Sequence, residues 1–316
     1  MVRVAADADY IELMSRWAQW ENGLEHQGCY TPTHHVAFRT ELMRRFRCNI
    51  RMLQRSSRRA LGLPASRDAT TLAAFVKRVR ESIESQVGSS VSTIAPAFPR
   101  LSPHAQEEVE EALSLTGLGS TRVQTGHGNT MLYQEANAAY AGLGHGLCED
   151  WSFKSDCLSA AWPPKSQSTV YFNFDNASFS LGAMELRNAF QEHTTYIHRL
   201  NTSLGWWSLP VYDAPRAKFW EHIHDMIVNV LAPMSTPPNR IVLMGEHGAD
   251  KEFQSVVQAA MWDQFEFDVE SMLQTVKTED AAWLAARGAA ELGWRDEEFK
   301  REYLHGERKG ADVDEL

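Results

Sequence analysis

Two predicted turns carry residues whose types and spacing suit the binding of a polar or charged ligand. The apolar segment Arg240–Met244 leads into Gly245–Gly248, which reads GEHG, and a helix is predicted over Asp250–Met261. Glycine permits a tight strand-to-helix turn, and the first N–H groups of a helix have no partner within it. An anionic or polar group of a ligand can accept hydrogen bonds from those N–H groups. The spacing is therefore consistent with a ligand site at this turn, and a purely structural turn is the alternative that it favours.

A second turn joins two predicted strands. Ser168–Phe174 and Ser178–Glu185 read as strands, and the Asp-Asn-Ala sequence that begins at Asp175 lies between them as a hairpin signal. Asn176 tolerates a left-handed turn, so the hairpin is expected to form. The carboxylate of Asp175 opposes the binding of a phosphate, because two negative charges repel each other strongly in a semi-buried site.

The other candidates for chemistry are weaker. Twelve histidines include His193/His198 and His222/His224, but none has the HExxH spacing or the cysteine pair of a zinc site. No serine lies in a nucleophile-elbow context. We therefore predict no metal site and no catalytic residue. The aromatic-rich stretch Trp206–Trp220 is interpreted as core packing, with an exposed protein-binding patch as the alternative.

Composition narrows the classes of partner. The 316 residues include 43% hydrophobic residues, and the net charge of −10 argues against a nucleic-acid partner. No apolar run approaches the length of a membrane span, so no membrane partner is predicted. The basic run Arg44–Arg59 has helical spacing and is interpreted as a solvated helix face. Four cysteines without a CxxC motif predict reduced thiols and a cytoplasmic protein.

Periodicity and turn signals predict an α/β chain. Helices are predicted within residues 1–60 and over Thr70–Val87, Ser102–Leu115, Glu135–Leu143, Pro215–Leu231, Asp250–Met261 and Trp283–Leu292. Strands are predicted over Val91–Pro96, Thr121–Gln124, Ser168–Phe174, Ser178–Glu185, Thr194–Arg199 and Arg240–Met244. The charged tail from Arg295 to Leu316 is expected to be frayed.

In their order and spacing, motifs across residues 70–295 resemble the nucleotide-binding domain of Hsp70, a member of the actin/Hsp70/sugar-kinase ATPase superfamily. Val91–Phe98 (VSTIAPAF) is similar to the I-T-V-P-A-x-F strand of that family, and Glu135–Ala139 (EANAA) to its E-P-T-A-A helix. Leu204 and Gly205 stand where the family has L-G-G, and Gly288–Ala290 begins its small-residue closing helix. The GEHG turn and the AARGAAE ending resemble a divergent group of fungal Hsp70-like proteins.

The resemblance implies an actin-like ATPase (ribonuclease H-like) fold with two lobes, of which the first is incomplete. Residues 1–64 are expected to be a helical segment that replaces the first phosphate hairpin, since Met1–Glu21 contains no Asp-x-Gly-Thr-Thr sequence. Residues 65–160 are expected to form the partial first lobe, 168–295 the second lobe, and 296–316 a charged tail. Relative to the family, the chain is expected to be truncated at its N-terminus.

The resemblance also assigns the two turns. The family's second phosphate hairpin reads D-x-G-G-G-T, whereas this chain reads NFDNAS, so that Asp175, Asn176 and Ser178 would line that hairpin. Glycines allow backbone to approach phosphate closely, and their loss predicts a structural turn with lost phosphate affinity. The alternative is that Asp175 coordinates Mg²⁺.

The adenosine turn is better preserved in the sequence. Gly245 and Gly248 remain, and Gly205 marks the preceding turn. Glu246 replaces the second glycine of the family's G-G-S pattern, and Ala249 stands where Hsp70 has an arginine. Both a residual nucleoside site and a purely structural turn are consistent with this pattern.

Two functions follow from the resemblance. The first is a pseudo-ATPase without a bound cofactor that acts as a binding or accessory protein for an unknown protein partner, for example in a fungal metabolic pathway. The second is an active ATPase that binds ATP and Mg²⁺ through a non-standard phosphate site. The basic residues of Arg44–Arg59 are the candidate substitute for the phosphate cradle in that second case.

Overall fold

The chain has a mixed α/β fold, as the sequence predicts. The computed structural model describes residues 2–20, 38–99, 103–121, 123–125, 130–131, 133–147, 166–186, 188–192, 195–266, 269, 272–274 and 278–311. The described helices are α1 (Ala8–Trp20), α2 (Phe38–Ala60), α3 (Arg67–Val87), α4 (Pro103–Leu115), α5 (Glu135–Gly142), α6 (Asp213–Leu231), α7 (Lys251–Phe265), α8 (Thr278–Ala281) and α9 (Leu284–Ala311). The described strands are β1 (Thr93–Ile94), β2 (Ala97–Phe98), β3 (Gly119–Ser120), β4 (Val123–Thr125), β5 (Thr130–Met131), β6 (Tyr133–Gln134), β7 (Gln167–Phe174), β8 (Phe179–Leu186), β9 (Gln191–Glu192), β10 (Thr195–Asn201), β11 (Arg240–Met244) and β12 (Leu273–Gln274).

These elements form two compact units. The first comprises Met1–Ile94 and Leu101–Ser120 and is mainly helical, with β1 and β3 paired in parallel. The second comprises Ala95–Arg100 and Thr121–Leu316 and contains the main sheet. The predicted boundaries at residues 64, 160, 168 and 295 stay predictions.

Helices α1 and α3 pack together in the first unit. Tyr10 stacks on Phe75 with ring centroids 4.0 Å apart, and Leu13 and Leu72 are buried. Helix α3 begins three residues before the predicted start because the Ser66 side chain accepts a hydrogen bond from the N–H of Ala69 at its first turn. It ends at the predicted residue.

Helix α2 departs from the sequence interpretation. Its arginines are not simply a solvated face, because Arg55 is buried and donates to the buried carboxylate of Glu108 on α4. Arg51 donates to the same carboxylate at 3.2 Å, and Arg59 donates to Glu111 at 3.0 Å. The difference arises because acidic residues of α4 face α2. The sequence pattern does not predict this contact.

The second unit is built on a five-stranded sheet of order β10-β8-β7-β11-β12. Strand β8 is antiparallel to its neighbours β7 and β10, while β7, β11 and β12 run parallel. The predicted hairpin and the predicted strand Arg240–Met244 are confirmed. One face of the sheet buries Phe172 and Leu243 together with Ile223 of α6 and Val257 of α7.

Helices α5 and α9 cover the other face of this sheet. They approach so closely that a Cβ atom on Gly288 would lie 1.7 Å from the carbonyl oxygen of Ala138. Helix α9 continues to Ala311, so the expectation of a frayed tail from Arg295 is wrong for the described residues. Arg295 is paired with Glu291 at 2.6 Å, and Asp296 is buried, which favours the helical continuation.

Two further observations concern the cysteines and the apolar character of the helices. Cys48 on α2 is disulfide-bonded, and its partner lies outside the described residues, as do Cys29, Cys148 and Cys157. The prediction of reduced thiols is therefore wrong for Cys48. Among the described helices, none combines the length and the apolar character needed to cross a membrane.

Candidate functional site

The two turns identified in the sequence lie side by side at one edge of the main sheet. Strands β7 and β11 pair in parallel, with Asn173 opposite Met244, so the chain leaves both strands at the same edge. From β7 it turns back into β8 on one side, and from β11 it continues through α7 to β12 on the other side. Neighbouring strands whose connections diverge in this way leave a crevice at their carboxyl ends, where ligands of α/β proteins commonly bind.

Hydrogen bonds connect the two turns directly. The N–H of Glu246 donates to Oδ1 of Asp175 at 3.0 Å, and the N–H of His247 donates to the carbonyl of Phe174 at 2.9 Å. Nε2 of His247 lies 3.0 Å from Oδ1 of Asn176. The turns therefore form one interlinked structure.

A third segment closes the hairpin turn from the opposite side. The N–H of Trp206 donates to the carbonyl of Asp175 at 3.0 Å, and the N–H of Trp207 donates to the carbonyl of Asn176 at 2.9 Å. A Cβ atom on Gly205 would lie 2.4 Å from the backbone nitrogen of Ser178. Glycine is required at residue 205 because backbone meets backbone there.

The side chains of Trp206 and His247 form a stacked pair above the turns. Their ring centroids are 4.0 Å apart, and the ring planes differ by 7°. Burial lowers the pKa of His247, which favours the neutral ring at neutral pH. Sequence reasoning assigned Trp206 to core packing and did not select His247, although each of them directly follows a residue that it did select.

The conformation of Gly245 fixes the start of the second turn. Its φ is +91°, and a Cβ atom on it would lie 2.3 Å from Oδ1 of Asn173. An L-residue with a side chain would be strained here and would displace Asn173. The N–H of Gly248 donates to the carbonyl of Gly245 at 3.2 Å, which keeps the turn compact. All seven predicted site residues thus lie in these two turns or in the segment at Gly205.

A buried acid lies next to the turns and was missed as a site residue. Glu135, the first residue of α5, is buried, and its Oε1 accepts a hydrogen bond from Nδ2 of Asn173. Burial, assisted by the negative charge of Asp175, raises the pKa of Glu135 to about 8. Burial also raises the pKa of Asp175, against the opposing effect of the hydrogen bond from Glu246. Strongly perturbed carboxyl groups of this kind are typical of functional sites.

Most of the backbone N–H groups described at this edge of the sheet already donate hydrogen bonds to oxygen atoms of the protein. The four backbone N–H groups of Gly245–Gly248 all donate to protein oxygens, including the carbonyl of Ala281 at 3.3 Å from Gly245 N. The N–H of Asp175 donates to the carbonyl of Ser178 at 3.0 Å. The Asp175 carboxylate thus accepts the hydrogen bond that a ligand anion would otherwise accept from Glu246. This arrangement does not fit a polyphosphate.

Two buried oxygen atoms at the same place meet only part of what a cation site requires. Oε2 of Glu135 and Oδ1 of Asn173 are buried and accept no hydrogen bond within the described part of the protein. Mg²⁺ prefers carboxylate and amide oxygens. However, the described residues contain no group of three histidine, cysteine, aspartate or glutamate side chains placed to hold a metal ion.

No protein-family model matches the chain, and no curated protein matches it.

Proposed function

We propose that this chain is an actin/Hsp70-like pseudo-ATPase that acts by binding a protein partner rather than by turning over ATP. The main sheet supports the fold part of this proposal. Counted along the chain, its strands lie in the order 3-2-1-4-5 with only strand 2 antiparallel to the others, which is the order of ribonuclease H-like lobes. The close packing of the small-residue helix α9 against α5 is in keeping with the same resemblance.

The loss of ATPase activity is supported by one observation above all. An internal carboxylate, that of Asp175, accepts the N–H of Glu246 between the two turns to which the resemblance assigns the nucleotide. A phosphate would have to displace this carboxylate and would then meet its charge at close range, which is unfavourable in a poorly solvated site. The second buried acid, Glu135, adds a further obstacle whenever it is ionised.

An active ATPase is the second candidate, and the unpaired oxygens of Glu135 and Asn173 favour it. In that case a Mg²⁺ ion near Asp175 would offset the negative charge, and the basic residues of Arg44–Arg59 would have to supply the phosphate cradle. The buried pairing of Arg55 with Glu108 makes that arginine unsuited to the task. A cytoplasmic accessory role in a fungal pathway belongs to the first proposal and depends on the resemblance.

Isothermal titration of the full chain with Mg·ATP separates the two functions. We expect no measurable heat of binding at millimolar nucleotide and no release of phosphate. Micromolar binding with turnover would contradict the pseudo-ATPase proposal. If Asp175→Ala removed such turnover, the active-site role of the hairpin would be established instead.

A further inference from the structure

A half-buried guanidinium without a carboxylate partner lies at the start of β11. Nη1 of Arg240 is 2.5 Å from Nε2 of His145, the third residue after α5. A guanidinium can only donate hydrogen bonds, so Nε2 of His145 accepts and the imidazole ring is neutral. The guanidinium also lies over the ring of Tyr140, with Cζ 5.7 Å from the ring centroid. These two contacts hold Arg240 in place without neutralising its charge.

The remaining donors of this guanidinium are not used within the described part of the chain. Nε of Arg240 is buried and has no hydrogen-bond partner there, and no carboxylate forms an ion pair with Arg240. Other arginines of the same unit differ in this respect. Nε of Arg216 donates to Glu252 at 2.9 Å. Nε of Arg295 donates to Glu291 at 2.6 Å. A buried polar donor without a partner is rare in folded proteins, and a bound ion is one of its established causes.

The chemistry of the unused donors identifies the ion. The N–H groups on Nε and Nη2 of an arginine form one edge of a rigid fork, which matches the two oxygens of a carboxylate. Because His145 is neutral, the site carries one positive charge and balances one negative charge. A doubly charged phosphate would leave an unbalanced charge beside Tyr140, which is 4% exposed, and burial of such a charge is unfavourable.

We propose that Arg240 binds the carboxylate of a small organic acid with a single negative charge. His145 and Tyr140 are positioning residues, since they hold the guanidinium with its Nε edge available. Arg240 is the first residue of β11 and Met244 the last, so about 13 Å of strand separates this site from the turn at Gly245. The proposal goes beyond the proposed function and does not depend on whether ATP binds.

Nuclear magnetic resonance of the full chain with ¹⁵N-labelled arginine tests the proposal. The probe is sodium acetate, and the Nε–H resonance of Arg240 is identified by its loss in Arg240→Lys. We expect this resonance to shift and to saturate at millimolar acetate, whereas the same concentration of sodium chloride should not produce the saturable shift. The Nε–H resonances of Arg216 and Arg295 are internal controls, because each of these groups already donates to a glutamate. They should not move.

The variants are followed through the acetate methyl resonance, which broadens when acetate binds a protein. Arg240→Lys keeps the charge but loses the fork, and should reduce the broadening at least fivefold. The matched control Arg216→Lys should leave it unchanged, and circular dichroism should show both variants folded. His145→Ala should weaken binding, and His145→Gln, which keeps an acceptor for Nη1, should restore it. Equal shifts at Arg240 and Arg216, or no saturable shift at Arg240, would overturn the proposal in the parent protein alone. Tighter binding of inorganic phosphate than of acetate would overturn the assignment to a carboxylate.

Discussion

The two units each bury a glutamate, but they neutralise it by different means. In the first unit, Glu108 lies against two arginines and the hydroxyl of Ser66. In the second unit, Glu135 is met by the amide of Asn173 and lies near a second carboxylate, so that its pKa rises to about 8. In the first unit, arginine side chains lie against the buried glutamate. In the second unit, the buried glutamate keeps a proton at neutral pH. A buried acid without a cation is therefore the better marker of a former or present ligand site.

The largest loss of stability is expected in the first unit, where Arg55 lies against the buried carboxylate of Glu108. Glu108→Ala should destabilise the first unit by about 3–5 kcal/mol, since it leaves the guanidinium of Arg55 buried without its partner. Urea unfolding followed by tryptophan fluorescence measures this change. The matched control is Arg59→Ala, which breaks the more exposed pair with Glu111 and should cost less than about 1 kcal/mol. Similar losses for both variants would show that burial does not distinguish the two pairs.

A smaller loss is expected at the connection between the turns of the second unit. Gly245→Ala should cost about 2 kcal/mol or more, because an L-residue is strained at positive φ and the new Cβ would displace Asn173. Gly62→Ala is the control, since Gly62 has a φ of +69° and a Cβ atom added to it would meet nothing within 4 Å. Chemical denaturation gives both values. Equal costs would mean that only the dihedral angle matters and that the contact with Asn173 is loose.

The smallest effect depends on pH and tests the proton on Glu135. A carboxyl group whose pKa is raised on folding stabilises the protein fully below its unfolded pKa, and this contribution is lost as pH rises through the folded pKa. From pH 4.5 to about 8, the parent should therefore lose stability relative to Glu135→Gln, which stays neutral. The variant should be more stable than the parent by about 1 kcal/mol or more above pH 8 and equally stable near pH 4.5. A difference that does not change across this range would contradict the raised pKa.

Local signals in the sequence predict much of the second unit. Short patterns of apolar residues and turn formers predict the hairpin at Asp175 and the strand before Gly245. Strand β11 has the predicted bounds. Parallel pairing of β7 with β11 then brings the two turns together without any further information. For this reason, six of the seven predicted residues, all except Gly205, lie at one edge of the sheet, although whether they bind a ligand stays a prediction.

The remaining site residues depend on contacts between distant parts of the chain. Glu135 lies 38 residues before Asn173, which donates to it, and no local pattern distinguishes this glutamate from a solvated one at a helix start. Likewise, the stack of Trp206 on His247 exists only because the segment at Gly205 crosses the hairpin turn. The spacing of residues along the chain does not predict which distant segments will cross each other in the fold.

The orientation of α2 shows a different limit. Helical periodicity shows which residues share a face, but it does not show which face points toward the core. That choice follows from the partner, and here α4 presents Glu108 and Glu111 rather than an apolar surface. The basic run was consequently assigned wholly to solvent, whereas Arg55 is buried against Glu108.

The most direct test of the central claim is the thermal unfolding of the full chain with and without ATP or ADP and Mg²⁺. A ligand present at one hundred times its dissociation constant adds about 2.7 kcal/mol to the free energy of unfolding. Because Asp175 already accepts the N–H of Glu246, we expect no shift in the unfolding temperature at millimolar nucleotide. A shift of several degrees that requires both nucleotide and Mg²⁺ would contradict the pseudo-ATPase proposal.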